Sequence, residues 1–567
     1  MKLLMRLTLL IILITGVLAS CKKKVPKQTR HIPREATIVA AINTKSLQKK
    51  LIKSQVTIEN LLKNLTSDHD SAFDKGKKEW EDLRNSGIDL DEDMYFAFEQ
   101  KGGGMATGQA SGVFSVIASV DDASKIEAYV KKKRPTAPVQ KEKDFSYAVE
   151  GNNMIAWNKE VIIGMSYQKS YTGGMEYDST TQTYKFNKPN DVNAINDLKT
   201  EMTAYMNRKE ETSVTALPEF RDLMQEKSDA SVWVNSAGSV ADMPLPLPKL
   251  KELFENSYTA ATINFEDGKI VGSSKSYTSK PLSDIMEKYS GSTVNLSLVE
   301  TYPSSNIDGF MVLAFNPEII TGIVNYLEVG GMADSYLTQF MGSNYTLKEF
   351  LKIFKGDFAF IASDFNPNSG EQSMLPIKGL FNATVADKAQ LTKVLDKLAA
   401  QQLVVKRGNE YVLNPAMSKT GFYVSIDDKN ILAGNDSLLI AQYRAGTGKA
   451  VVNKEVMDDF KDKTSAVYVD ATKIMSAIPA GSQDLDSVLL SAKQTFKDMK
   501  AYGTKFNGKF TEGHYEFRMV NEKENSLTSL IQFMAVAGET VKKRQAAMPR
   551  DIMIDSTAPN AIDTVTN

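Results

Sequence analysis

Thiol and imidazole chemistry are almost missing from this chain. Its 567 residues hold one cysteine, Cys21, and three histidines, His31, His69 and His514. A single cysteine excludes an intramolecular disulfide. The three histidines share no local spacing, which argues against a zinc site built on paired histidines. Net charge is equally scarce: 68 Lys and Arg against 69 Asp and Glu leave −1. The clustered basic excess of nucleic-acid binders is missing, so no nucleic-acid partner is expected. After residue 21 no apolar run reaches the roughly 18 residues of a membrane-spanning helix.

Familiar catalytic motifs are missing as well. Gly102-Gly103-Gly104-Met105-Ala106-Thr107-Gly108 lacks the Gly-Lys-Ser/Thr that lets a P-loop lysine reach phosphates, and it joins two strands, so it reads as a hairpin loop. No Gly-x-Ser-x-Gly elbow is present, and no serine stands in a recognisable triad context. Asp89-Leu90-Asp91-Glu92-Asp93 has the early spacing of a calcium loop. Met94 stands where the loop glycine should be, so the run reads as a solvated strand entry, with a weak Ca²⁺ site as the alternative. No catalytic residue, metal site or cofactor is assigned.

What is present begins with an address. Met1 to Arg6 is short and basic, Leu7 to Leu18 is apolar, and Leu18-Ala19-Ser20-Cys21 follows. The apolar run is too short to span a bilayer and has the form of a signal peptide over 1–20. Small residues before the cysteine match the bacterial lipobox, in which the cysteine is acylated. Several acyl chains give stable anchoring where one is marginal. Residues 21–30, with Lys22-Lys23-Lys24, read as an acylated basic tether. The expected localisation is the outer membrane with the body facing the periplasm, and surface exposure is the alternative.

Apolar residues make 42% and charged residues 24%, an ordinary globular balance. The body reads as one plan stated twice. Ile38 to Asn43 and Met311 to Asn316 are short strands ending in Asn, each followed by helical spacing: Leu47, Leu51, Ile58, Leu61, Leu62 and Leu65 in the first, Ile319, Ile320, Ile323 and Leu327 in the second. Aromatic strands follow at Asp93 to Phe98 and Asp357 to Ile361. Gly112 to Val116 then matches Gly379 to Ala383, each leading through an aspartate N-cap (Asp121 or Asp122; Asp387) into a helix. Hairpins recur at 154–164 and 422–434. Ser231 to Asn235 parallels Ala466 to Asp470, and the Asp267-Gly268 turn parallels Asn507-Gly508. The first half also carries an extra polar stretch from Lys169 to about Ser213.

Tight turns between strands imply antiparallel pairing with helices packed on the sheet. The expected fold class is therefore α+β: two tandem modules that read as a duplication, 31–295 and 296–525. Val294 to Tyr302 would form the junction, and Pro244 to Pro248 an extended stretch. A C-terminal helix over 526–545 is predicted from Leu527, Leu530, Ile531, Met534 and Val541. Residues 546–567 read as a disordered tail. Trp157 and Trp233 fall on predicted strands, as core or as groove lining, and Trp80 lies in a charged helix.

The opening Ile32-Pro33-Arg34-Glu35-Ala36, just after the lipobox, then a strand ending at Asn43 and Ser46-Leu47, resembles a family of uncharacterised Bacteroidota lipoproteins carrying a domain of unknown function. The resemblance implies an extracytoplasmic lipoprotein and no particular chemistry. The leading expectation is a lipid-anchored binding, scaffold or accessory subunit of an outer-membrane assembly, with an envelope protein as partner. The alternatives are a surface protein binding glycans or peptides, and a hydrolase using paired carboxylates.

Overall fold

The computed structural model describes residues 25–54, 70–102, 109–171, 175–178, 183–186, 192–237, 247–342, 345–367, 376–417, 421–450, 452–479 and 483–547. The leader 1–20, Cys21, Lys22 to Lys24, Ile58 to Leu65, His69, Gly103 to Gly108, Pro244 to Pro246 and residues 548–567 lie outside the described residues.

Helices and antiparallel strands mix throughout. The strands of the first run are β1 (Ile38–Ile42), β2 (Met94–Gly102), β3 (Gln109–Ser119), β4 (Gln140–Lys141), β5 (Ser146–Glu150), β6 (Asn153–Trp157), β7 (Val161–Tyr171), β8 (Met175–Asp178), β9 (Thr183–Phe186), β10 (Ala230–Asn235), β11 (Tyr258–Glu266) and β12 (Lys269–Tyr277). The second run has β13 (Ile307–Ala314), β14 (Phe354–Ser363), β15 (Lys378–Val385), β16 (Val404–Arg407), β17 (Glu410–Leu413), β18 (Tyr423–Ile426), β19 (Asn430–Gly434), β20 (Ser465–Val469), β21 (Phe496–Gly503) and β22 (Phe510–Met519). β8 and β9 form a separate ribbon.

All the others belong to one open antiparallel sheet of 20 strands. Its spatial order is β4-β5-β6-β7-β3-β2-β1-β10-β11-β12, then β22-β21-β20-β13-β14-β15-β19-β18-β17-β16. Outward from the β12–β22 seam, both runs place their strands in the same relative order. At the seam Lys269 faces Arg518, Ser273 faces His514 and Tyr277 faces Phe510.

The two lobes share one sheet, joined where β12 pairs with β22. The reason is the edge problem. The last strand of either lobe alone would present a row of unpaired N–H and C=O groups, and pairing β12 with β22 satisfies both rows. The expected junction also shifts. Val294 N–H donates to Lys463 O at 2.8 Å, and Val294, Leu298, Val299 and Tyr302 are buried within the second lobe's core.

Neighbouring residues on a strand point to opposite faces, so the buried residues locate the layers. On one face, Val39, Tyr95, Ile117, Ile163 and Trp233 pack under the helices Val192–Met206 and Pro218–Leu223. On the same face of the second lobe, Phe310, Ile361, Leu380, Leu432 and Tyr468 pack under Ser437–Ala445 and Lys454–Asp459. The opposite face carries a helix near the outer flank of each lobe, with Phe350 of the helix Leu347–Leu351 added to the second. At one end of the seam the helix Ser526–Ala547 contacts β11 and β12 and sets Phe533 against Phe496 at 4.9 Å. Ala123–Lys133 buries Ile126 and Val130 on Ala118, Trp157 and Ile162. Lys388–Ala400 buries Leu391 and Leu395 on Val385, Val404 and Ile426. Their caps are Asp122, accepting from Ser124 N–H at 2.9 Å, and Asp387, accepting from Gln390 N–H at 3.0 Å.

The two glycine turns occur where a side chain would be strained: Gly268 has φ +73° and Gly508 φ +90°. Pro248 opens the helix Pro248–Phe254 as its first residue, where a missing N–H costs nothing. The last helix runs Ser526–Ala547. Among the described residues no helix is long and apolar enough to cross a membrane.

The polar stretch of the first half holds a core element. Its helix Val192–Met206 buries Leu198, Met202, Tyr205 and Met206. The tether reading fails from Lys27 onward. Lys27–His31 is a 3₁₀ turn with Gln28, Thr29 and His31 buried.

Candidate functional site

Three features of the sheet offer binding surfaces. The first is the middle of the face that carries the two flanking helices. Ile38, Phe98 and Phe114 are direct cross-strand neighbours, as are Met311, Phe360 and Phe381. The rows lie on the corresponding strands of the two lobes, β1–β2–β3 and β13–β14–β15, but are offset along them: Ile38 pairs with Val234, whereas Gly309 and not Met311 pairs with the matching Val469. Five of the six side chains are large and exposed: Ile38 42%, Phe114 40%, Met311 40%, Phe360 45% and Phe381 37%. Between them the strands nearest the seam present small residues, Ala261, Gly272, Ser274, Gly513 and Ala501, with Tyr515 exposed among them. The result is a shallow floor bordered by an apolar row on each side, and exposed apolar patches of this kind mark interaction sites.

The second feature is the other face of the seam, where the two helix-covered cores leave a gap. There the strands carry charge. Lys500 is 8% exposed and lies between Asp459 at 2.6 Å and Glu516 at 3.5 Å. Burial pulls its pKa down, but the hydrogen bond to Asp459 and the nearby Glu516 carboxylate outweigh this and hold the ammonium above its ordinary value. Arg518 grips Asp498 through two bonds of 2.6 Å, and that bond raises the guanidinium further. His514 stacks on Tyr502 with centroids 4.9 Å apart, and Lys463 stands over the same ring at 4.6 Å. A cavity of about 200 Å³ opens here between Asp459, Lys500, His514 and Glu516. The carboxylates brought together are each matched by a cation, which suits structure more than proton transfer.

The third is a cleft of about 510 Å³ in the second lobe, between β17, β18 and the helix Ser437–Ala445. Val412, Tyr423 and Ile440 line its walls, and Arg407, Glu410 and Arg444 its mouth.

The residues singled out by sequence scatter across the fold. Trp233 is fully buried, stacked on Tyr258 at 4.7 Å and edge-on to Phe220 at 5.6 Å. Trp157 is buried under the helix Ala123–Lys133, and Trp80 is half-buried. None of the three lines the features above. In the acidic run, Asp89 Oδ1 accepts from Asp91 N–H at 2.9 Å, and the Leu90 and Glu92 carbonyls accept from Thr44 Oγ. Asp93 is raised by burial and by Glu92. Among the described residues no group of three or more His, Cys, Asp or Glu could hold a metal ion.

His31 is the largest departure from the sequence reading. It is 1% exposed, and its Nδ1–H donates to Tyr205 O at 2.9 Å while Nε2 accepts from Arg30 Nε at 3.3 Å. Accepting from Arg30 at Nε2 requires the neutral ring with its proton on Nδ1. Burial pulls its pKa below the ordinary value, partly opposed by the bond to Tyr205. The unfolded imidazole gains its proton near pH 6.5, so the unfolded state binds more protons just below that pH. Stability is thus complete above about pH 6.5 and declines as pH falls toward the folded pKa, by at most about 1.4 kcal/mol per pH unit. Denaturant melts at pH 7 and pH 5 should show this loss, and His31→Gln should flatten it. An unchanged slope in the variant would refute the assignment.

The family model described as Domain of unknown function (DUF4836) matches residues 29–527. No curated protein matches the chain. Among solved structures, crystal form IV of TP0453 matches at 9% identity, covering 46% of this chain and 83% of that one, with a TM-score of 0.24. Crystal form I of TP0453 matches at 9% identity, with 46% and 81% coverage and a TM-score of 0.23.

Proposed function

We propose that this chain, which belongs to the DUF4836 family of domains of unknown function, is an acylated envelope lipoprotein that docks a protein partner on its open sheet face. Cys21 carries the lipid and holds the body at the outer membrane, facing the periplasm. The lipobox spacing of Leu18-Ala19-Ser20-Cys21 supports the anchor.

The observation that carries the docking reading is the pair of exposed apolar rows, Ile38–Phe98–Phe114 and Met311–Phe360–Phe381, on one face of one sheet. Their repetition on both sides of the seam fits a partner long enough to lie across it. We read the two lobes as products of an internal duplication, because their strands follow one order outward from the seam. A surface glycan- or peptide-binding role draws less support, since Trp157 and Trp233 are core residues. A carboxylate hydrolase draws less still, since Asp459, Asp498 and Glu516 are each paired with a cation.

The test is a double substitution, Phe360→Asp with Phe381→Asp, in the native host. Both side chains are exposed, so the fold should tolerate the change. A partner that crosslinks to the wild-type chain should be lost. Undiminished recovery of that partner would refute docking on this face.

A further inference from the structure

The two lobes differ at one place that both could have filled. In the first lobe, Tyr147, Ala156 and Ile163 form a cross-strand row beneath the helix Val192–Met206. Tyr147 is 3% exposed, its hydroxyl donates to Gln140 Oε1 at 2.5 Å, and the Lys199 ammonium stands over its ring at 5.2 Å. The space is closed. The corresponding row in the second lobe is Val412, Ser425 and Leu432. Valine therefore stands where the first lobe has tyrosine, and the 510 Å³ cleft occupies the difference.

That volume lies within the roughly 300–1,000 Å³ of small-molecule sites. Val412, Leu413, Pro415 and Tyr423 give the walls an apolar part, and the helix lines one side through Ser437, Ile440, Ala441 and Arg444, spaced i, i+3, i+4 and i+7. At the mouth Arg444 pairs with Glu410, and Ser425 Oγ donates to Glu410 at 2.6 Å while accepting from Arg444 at 3.2 Å. Glu410 is thereby satisfied. Arg407, its cross-strand neighbour, is exposed and has no carboxylate within ion-pair distance among the described residues. Two guanidiniums against one carboxylate leave the mouth positive. A planar guanidinium without a partner is suited to a carboxylate.

We infer that this cleft binds a small carboxylate with an apolar body. The body occupies the place that Tyr147 fills in the first lobe, and the carboxylate meets Arg407. The site lies on the helix-covered face, away from the rows that carry the docking reading, so either can fail without the other.

The test is calorimetric titration of the full chain with 4-phenylbutyrate and with its uncharged amide. The acid should bind at least tenfold more tightly than the amide. Arg407→Gln should abolish that preference and leave the amide's weak binding. Val412→Tyr, which refills the cleft as the first lobe does, should abolish binding of both, and Ala441→Leu provides a second obstruction from the helix side. Circular dichroism melts identify a variant that fails to fold. Absence of binding by the acid, equal binding of acid and amide, or full binding by both obstructed variants would overturn the proposal.

Discussion

Trp233→Ala should destabilise the first lobe by about 3–5 kcal/mol, the range for removing a fully buried large aromatic side chain. Trp233 is 0% exposed and sits on β10 at the centre of the core. Its ring stacks on Tyr258 and meets the edge of Phe220, so truncation removes apolar burial and two aromatic contacts together. No neighbour can slide in, because Val39 and Ala260 on either side are held by the ladder. Trp233→Phe should cost far less. It keeps the stack and also removes an indole N–H that has no hydrogen-bond partner among the described residues. Denaturant titration measures both. A loss under about 1 kcal/mol for alanine, or equal losses for alanine and phenylalanine, would contradict this packing.

Arg518→Ala should cost about 3 kcal/mol or more, for an electrostatic reason. Asp498 is 4% exposed and Arg518 is its bidentate partner. Removing the guanidinium leaves a carboxylate buried without compensation, and such losses run at about 3–5 kcal/mol. The desolvation penalty was already present in the native pair, so replacing both members should be far milder than the sum of the two single changes. The double variant Asp498→Leu with Arg518→Met tests this as a thermodynamic cycle. Additive losses across the cycle would mean that the pair is uncoupled.

Local features were legible in the sequence because local chemistry determines them. The strand Ile38–Ile42, the hairpins, the Asp122 and Asp387 caps and the Asp267-Gly268 turn each follow from a few adjacent residues. The recurrence of strand types also pointed to antiparallel pairing. Features that depend on distant pairing were not legible. Nothing in Lys269–Tyr277 or Phe510–Met519 says that these strands pair with each other; only the sheet's need to satisfy two edges does. The helix Val192–Met206 was hidden by a polar composition, although Leu198, Met202 and Tyr205 have the i, i+4, i+7 spacing that could have shown it. His31 sits in a basic run and looked solvated. Its burial depends on Tyr205, a residue 174 positions away. The cleft required a comparison of register, Tyr147 against Val412, that no linear pattern supplies.

The most direct test of the account is a photo-crosslinking residue placed at position 360 in the living host, with position 199 on the opposite face as control. The account predicts one dominant crosslinked envelope protein from position 360, none from position 199, and loss of the product when Phe381→Asp is added. No product from position 360, or the same product from both faces, would contradict docking on the open sheet face.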